Sequence, residues 1–320
     1  MASKRWADFI SLYGSLLVVI IITAFFCLFA RRFACWDNIQ NIMVQTAIIG
    51  LTSLGLVTVM MAGEIDLSMG GTIGFTGALL AGLVMQQGYS LFSALGVCIL
   101  VGLAFGFVSG WLVARYGLSS FLVSVSIMFI AMGLERAYTH GLTVWIRKRP
   151  DVLFLAQGKI AGLPVLMIIL LAAVVIYWLW QTQFNSGIYI RAIGENIDAA
   201  REAGIRVVFL KTVAFMIAGG FFGFSGALNA IRTSGNVLYS GQHVWIPVLG
   251  ACFFGATMFT RGKPNILGAV VGSFFFTIIL NGLTLTHVAF YMVPIVQGLI
   301  LIGAVGVTAM RRKEIEQVKF

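Results

Sequence analysis

Apolar runs of about twenty residues, nearly free of charge, recur from one end of the chain to the other. Each run is long enough to cross a hydrocarbon core of about 30 Å. Such runs must be helical, because backbone polar groups in lipid can only be satisfied by one another. The predicted spans are 9–30, 42–62, 69–87, 91–114, 118–139, 162–182, 208–230, 244–259, 265–283 and 287–309. The pattern predicts an all-α polytopic membrane protein with about ten transmembrane helices.

Composition and charge agree with this class. Hydrophobic residues make up 60% of the chain, and the mean hydropathy is +0.99. The net charge of +10 could suggest a nucleic-acid partner. However, the basic residues lie mostly at the ends of apolar runs, where the positive-inside rule and anionic headgroups account for them. The expected partner is therefore the lipid bilayer and not nucleic acid.

An even number of spans places both termini on the same side, which the basic residues indicate is the cytoplasm. Trp145–Asp151 ("WIRKRPD") then falls outside, against the charge rule. Two loops are long: an outer one from about His140 to Ala161, and an inner one from about Gln183 to Val207. Neither could hold a soluble nucleotide-binding domain, so we expect no ATPase activity in this chain.

Catalytic, cofactor and metal sites are not expected either. The segment Gly255–Pro264 ("GATMFTRGKP") has the wrong spacing for a phosphate-binding loop. His140, His243 and His287 stand apart from one another, without the spacing of a zinc site.

The stretch Met60–Gly77 ("MMAGEIDLSMGGTIGFTG") puts two carboxylates between apolar runs. We interpret it as a helix break at or near membrane depth. Asp66 or Ser68 is expected to cap the helix that begins near Met69. Ionisable groups in membranes also tend to face a cavity or a partner, so Glu64, Asp66 and Ser68 are candidates for the translocation path.

Glycines recur every four residues in two of the apolar runs. Gly102, Gly106 and Gly110 lie in one run, and Gly219 and Gly223 in another. Small residues on one face let helices approach closely in lipid. Tight helix packing is expected here, with a glycine-lined substrate path as the alternative.

The inner loop contains Arg191–Val207 ("RAIGENIDAAREAGIRV"). Asn196 is expected to cap a short helix over Ile197–Ala203, and Gly204 suits the positive φ of the position after its end. Ala199, Ala200 and Ala203 would give this helix a small-residue face. The helix could be gripped by a partner or could rest on lipid.

This segment resembles the cytoplasmic coupling loop of the membrane subunits of bacterial sugar ABC importers, of the ribose, xylose and autoinducer-2 type. The matching positions are Ala192, Ile193, Gly194, Asn196, Ala199, Ala200, Gly204 and Ile205. The break is similar to a second family motif, matched by Gly63, Ile65, Asp66, Leu67, Ser68 and Gly70. The resemblance runs from about residue 40 to 310. The chain departs from the family at Trp245, Pro247, Arg261 and Pro264.

The resemblance implies a type II-like ABC permease of the bacterial inner membrane. It would form one transmembrane domain over residues 1–320, with its coupling loop at about 184–207. Such permeases work in pairs, either with a second copy or with a paralogue. Two ATPase subunits below hydrolyse ATP, and a soluble sugar-binding protein delivers the solute outside.

The expected function is therefore that of the permease subunit of an ATP-driven importer for a sugar or a sugar-like solute. A permease for nucleosides or branched-chain amino acids would share this architecture. An ion-coupled secondary transporter is a further alternative. That class needs ionisable residues deep in several helices, and beyond Glu64, Asp66 and Glu135 the chain has few.

Overall fold

A computed structural model of the protein describes residues 2–147, 149–260, 262–286, 288–289 and 291–317. Expectations that concern Lys148, Arg261 and His287 lie outside the described residues.

Thirteen helices and four two-residue strands form within the described chain. The helices are α1 (Ala2–Phe29), α2 (Trp36–Met61), α3 (Met69–Met85), α4 (Leu91–Tyr116), α5 (Ser120–Thr139), α6 (Pro150–Gln157), α7 (Val165–Gln183), α8 (Asn185–Glu195), α9 (Ile197–Glu202), α10 (Val207–Arg232), α11 (Gln242–Ala256), α12 (Ile266–Leu285) and α13 (Met292–Gln317). The strands are β1 (Val144–Trp145), β2 (Lys159–Ile160), β3 (Leu163–Pro164) and β4 (Gly235–Asn236). β1 pairs with β4 and β2 with β3, both antiparallel.

Each of the ten predicted spans coincides with a helix. Six of these helices, α2, α4, α5, α7, α10 and α12, are long and apolar enough to cross a membrane. The other four predicted spans correspond to the shorter apolar segments Gly14–Phe29, Met69–Met85, Gln242–Ala256 and Met292–Thr308. The all-α polytopic class is confirmed, and the count of ten spans stays a prediction.

The chain divides into two compact units, one formed by residues 1–53 and 246–320 and the other by residues 54–245. The divisions fall within α2 and α11. The expectation of a single permease domain stays a prediction.

In the unit of residues 54–245, α3 and α10 form the core. Fourteen of the residues of α3 are buried, because the helix packs on α4, α5 and α10. α4 and α10 meet backbone to backbone: a β-carbon at Gly102 would overlap the carbonyl oxygen of Gly219, and one at Gly223 would overlap that of Cys98. The predicted tight packing of these glycines is confirmed.

In the unit of residues 1–53 and 246–320, α11 and α12 also approach through glycine. A β-carbon at Gly255 or Gly268 would overlap the backbone of the other residue. Asn265 caps α12, with its Oδ1 accepting from the Gly268 N–H at 2.6 Å. Asn38 and Asn281 exchange two amide hydrogen bonds of 2.9 and 2.8 Å. These paired amides satisfy polar groups between otherwise apolar helices.

Candidate functional site

The predicted helix break lies between α2, which ends at Met61, and α3, which begins at Met69. Gly63 takes a φ of 83°, a conformation in the left-handed region that favours glycine. The break is confirmed, and it starts with a turn that a residue with a β-carbon would adopt only with strain.

Asp66 stabilises the chain just before α3. Its side chain is fully buried, and its Oδ1 accepts a hydrogen bond from the Ser68 N–H at 2.8 Å. Ser68 occupies the N-cap position, but its φ and ψ of −59° and −19° are already helical, and its hydroxyl makes no cap bond. A capping side chain normally needs an extended backbone at that position. Of the two residues expected to cap α3, Asp66 therefore makes the stabilising contact, and Ser68 makes none through its side chain.

Glu64 forms an ion pair with Lys211 in the second turn of α10. The Lys211 Nζ donates to Glu64 Oε1 at 2.5 Å, and the two side chains are only 11% and 20% exposed respectively. Lys211 was not among the site residues expected from the sequence. A lysine four residues into an apolar helix was the available signal, since a buried ammonium group requires a partner.

α8 is an amphipathic helix in a segment that was expected to be a loop. Gly187, Ile190 and Ile193 are buried along one side, and their spacing of three residues was the available signal. Gly194 brings α8 against the break: a β-carbon there would overlap the carbonyl oxygen of Met61 and lie 2.9 Å from the Gly63 nitrogen. The inner loop and the helix break are therefore in direct contact.

α9 has the predicted caps at both ends. The Asn196 Oδ1 accepts from the N–H groups of Asp198 and Ala199 at 3.1 and 3.0 Å. The helix ends at Glu202, one residue before the predicted end, and Gly204 follows with a φ of 75°.

The turn after α9 is a Schellman motif. The Gly204 N–H donates to the Arg201 carbonyl at 2.9 Å, and the Ile205 N–H donates to the Ala200 carbonyl at 3.0 Å. These two bonds satisfy carbonyls that the helix end would otherwise leave unpaired.

The predicted small-residue face of α9 is only partly correct. Ala199 and Ala203 are exposed, but Ala200 is only 4% exposed because α9 packs that side against its own chain. Ala200 therefore cannot offer a surface to a partner. Ile205 lines a cavity of 580 Å³ beside α4, together with Phe107 and Trp111.

In the unit of residues 54–245, the end opposite the helix break is formed by the segment before α6 and the segment after α10. Val144 and Trp145 of β1 pair with Asn236 and Gly235 of β4. The Gln157 Nε2 donates to Ser234 Oγ at 2.9 Å. These contacts hold the two segments together at the end remote from the helix break.

An ion pair orders the start of α6 at this remote end. The Arg149 Nη2 lies 2.9 Å from Asp151 Oδ2, and this hydrogen bond lowers the pKa of Asp151 below its usual value. Arg149 also donates to the Val84 carbonyl near the end of α3 at 3.4 Å. One basic residue of this segment, Arg149, thus helps to hold the chain together.

A buried carboxyl group lies about one turn before the end of α5. Glu135 is fully buried, and its Oε1 accepts from the Asn236 Nδ2 at 2.8 Å. Gly74 of α3 leaves room for this carboxylate, since a β-carbon there would lie 2.5 Å from Glu135 Oε2.

The comparison with known families identifies what kind of protein this is. The sequence model of the family described as the permease component of branched-chain amino acid transport systems matches residues 38–305. The chain belongs to this permease family. The match includes both the helix break and the inner loop of the permease.

Several curated relatives of the permease cover nearly its whole length. The ribose import permease of Haemophilus influenzae is 27% identical over 91% of each chain. The D-allose transport system permease of Escherichia coli is 29% identical over 97% of this chain and 95% of its own. The autoinducer 2 import permease of Salmonella typhi is 24% identical over 90% and 83%. No solved structure matches the permease.

Proposed function

We propose that the permease is the membrane-spanning subunit of an ATP-driven importer for a sugar or a sugar-like solute. Relatives named for ribose, D-allose and L-arabinose transport, each aligned over more than nine-tenths of this chain, support the solute class. The family description names branched-chain amino acids, which makes such an amino acid the second candidate.

The observation that supports coupling to a partner is the capped helix α9, together with the contact between the neighbouring helix α8 and the helix break. Asn196 and the turn at Gly204 give α9 defined ends. Gly194, three residues before the start of α9, packs on the helix break. Closure of an ATPase bound to α9 would therefore move α8 and shift the backbone at the end of α2 and in the turn at Gly63.

The ATPase would be a separate subunit that docks on the exposed side of α9, around Ala199 and Ala203. A soluble binding protein would deliver the solute at the other end. The permease would work with a second copy or a paralogue, in the bacterial inner membrane. We propose ten spans with both termini in the cytoplasm.

Reconstitution tests this function. The permease is purified together with the ATPase and binding protein encoded nearest to it, and placed in proteoliposomes. Uptake of D-ribose, D-allose, L-arabinose and L-leucine is measured with ATP or ADP inside. We expect ATP-dependent uptake of a sugar that persists when ion gradients are collapsed. Uptake of L-leucine alone would favour the amino-acid candidate, and uptake driven by an ion gradient without ATP would refute the proposal.

A further inference from the structure

A cavity of 380 Å³ opens at the end of the 54–245 unit that is remote from the helix break. We call it the outer cavity. Its wall includes Gln86 at the end of α3, Tyr138 and His140 at the end of α5, and Thr143 and Trp145 in the following segment. Small-molecule sites commonly measure about 300–1,000 Å³ and combine aromatic walls with a few polar groups. The outer cavity has this size and this make-up.

The chemistry of the wall favours an uncharged, hydroxyl-rich ligand. Among the described residues that line the cavity there is no Asp, Glu, Lys or Arg. Gln86 and Thr143 supply an amide and a hydroxyl, which can both donate and accept hydrogen bonds. Tyr138 and Trp145 supply aromatic surface. A sugar has hydroxyls around its rim and C–H groups on its ring faces, so it needs both kinds of surface.

Trp145 is held in place by the backbone. It pairs with Gly235 in the β1–β4 ladder, and its ring lies so close to Gly235 that a β-carbon there would be 3.1 Å from Trp145 Cε3. Nevertheless 48% of Trp145 is exposed. A large aromatic side chain with a fixed backbone and an open surface loses little conformational freedom when a ligand covers it.

Tyr138 presents an unused hydroxyl. Its oxygen is buried without a hydrogen-bond partner among the described residues. It lies against Gly82 of α3, where a β-carbon would overlap it. A buried polar atom without a partner normally indicates a missing water or ligand. Because this oxygen has no exposed surface, a ligand in the outer cavity would bond to it only after the Tyr138 side chain rotates away from Gly82.

We propose that the outer cavity is a binding site for the transported sugar, with Trp145 covering one ring face and Tyr138, Gln86 and Thr143 bonding its hydroxyls. This site rests on the proposed function, because it takes the same solute class. It lies apart from the helix break and the coupling segment, and it would hold the sugar between its release by the binding protein and its passage across the membrane.

The test measures binding without the binding protein. The permease–ATPase complex is placed in lipid nanodiscs, and saturation-transfer NMR is recorded with whichever of D-ribose, D-allose or L-arabinose the wild type imports. Wild type is expected to transfer saturation to the ring protons. Trp145→Ala is expected to weaken the sugar affinity about tenfold, and Trp145→Phe less. Trp178→Ala is the matched control, since Trp178 lies on α7, away from the cavity, and is 45% exposed.

The result can overturn this site without overturning the transport function. If the wild type imports a sugar but gives no saturation transfer, or if Trp145→Ala binds as the wild type does, the outer cavity is not a sugar site and the importer assignment stands. If the wild type imports none of the sugars, the proposed function fails and this site fails with it. Thermal unfolding of Trp145→Ala verifies that any loss is not due to misfolding, and Thr143→Val provides a second variant with a smaller change.

Discussion

Gly194 of α8 lies directly against the carbonyl oxygen of Met61, the last residue of α2. A β-carbon at position 194 would overlap that oxygen, so the approach requires a residue without one. Packed protein interiors are nearly incompressible and transmit displacement. A displacement of the coupling segment therefore reaches the helix break through one backbone contact, with no intervening side chain.

Gly194→Ala is expected to force α8 away from Met61. Overpacking of this kind costs about 1–3 kcal/mol of unfolding free energy, and uptake is expected to fall even where the protein remains folded. Thermal unfolding and ATP-dependent uptake measure the two effects. Gly133→Ala on α5 is the control, because a β-carbon there meets open space. Equal behaviour of the two variants would show that the contact is unimportant.

The Glu64–Lys211 pair is expected to couple the helix break to α10. Lys211→Met leaves a largely buried carboxylate unpaired, which we expect to cost about 1–3 kcal/mol of unfolding free energy. Glu64→Gln combined with Lys211→Met is expected to recover part of this loss, because no charge is then left alone. The double-mutant cycle is measured by thermal unfolding. Additive effects of the two substitutions would mean that the pair contributes nothing as a pair.

Asp66→Asn is expected to retain most stability and uptake, since the amide oxygen can still accept from the Ser68 N–H. Asp66→Ala removes the acceptor and is expected to cost about 1 kcal/mol of local stability. Ser68→Ala is expected to have little effect, because the hydroxyl makes no cap bond. Protein levels, unfolding and uptake are compared. Loss of uptake by Asp66→Asn at normal protein levels would instead assign the carboxylate charge a role in transport.

Ala199→Trp is expected to block docking of the ATPase by bulk on the exposed side of α9. Gly204→Val is expected to disturb the turn after α9, because a positive φ is strongly disfavoured for a β-branched residue. Both variants should insert normally and lose uptake, with less ATPase recovered in co-purification. Ala137→Trp, at another exposed alanine, is the control for added bulk.

Ala200→Trp separates packing from docking. Because Ala200 is buried within the permease, this variant is expected to lower stability, whereas Ala199→Trp is not. If Ala199→Trp and Gly204→Val both import normally with ATPase activity still linked to the solute, α9 rests on lipid and is not the docking element.

The topology can be tested by labelling with a membrane-impermeant thiol reagent. In a background with Cys27 and Cys35 replaced by serine, since both are exposed, Leu142→Cys is expected to react in intact cells. Glu202→Cys is expected to react only after the cells are opened. The two remaining cysteines are buried. The reverse labelling pattern would refute the proposed orientation.

The sequence by itself determined the features that depend on neighbouring residues. Long apolar runs located the helices, because a hydrocarbon environment requires each segment to satisfy its own backbone. The caps at Asn196 and Gly204 were also predictable, because each depends only on neighbouring residues. Each involves hydrogen bonds over two to five residues and a specific local backbone conformation. The break before Met69 followed from the interruption of the apolar pattern.

Only the tertiary structure decided which of these elements meet. Lys211 and Glu64 are 147 residues apart in the chain, and no local pattern pairs them. The burial of Ala200 and the close contact of Gly194 with Met61 depend on how α8 and α9 pack against α10 and the helix break. The choice between Asp66 and Ser68 as the residue that stabilises the start of α3 also depended on the structure, because the backbone at Ser68 is already helical. The outer cavity also depends on non-local contacts, since β1 and β4 bring together segments separated by all of α6–α10. Contacts of this kind arise from packing between distant helices, and hydropathy along the chain does not encode them.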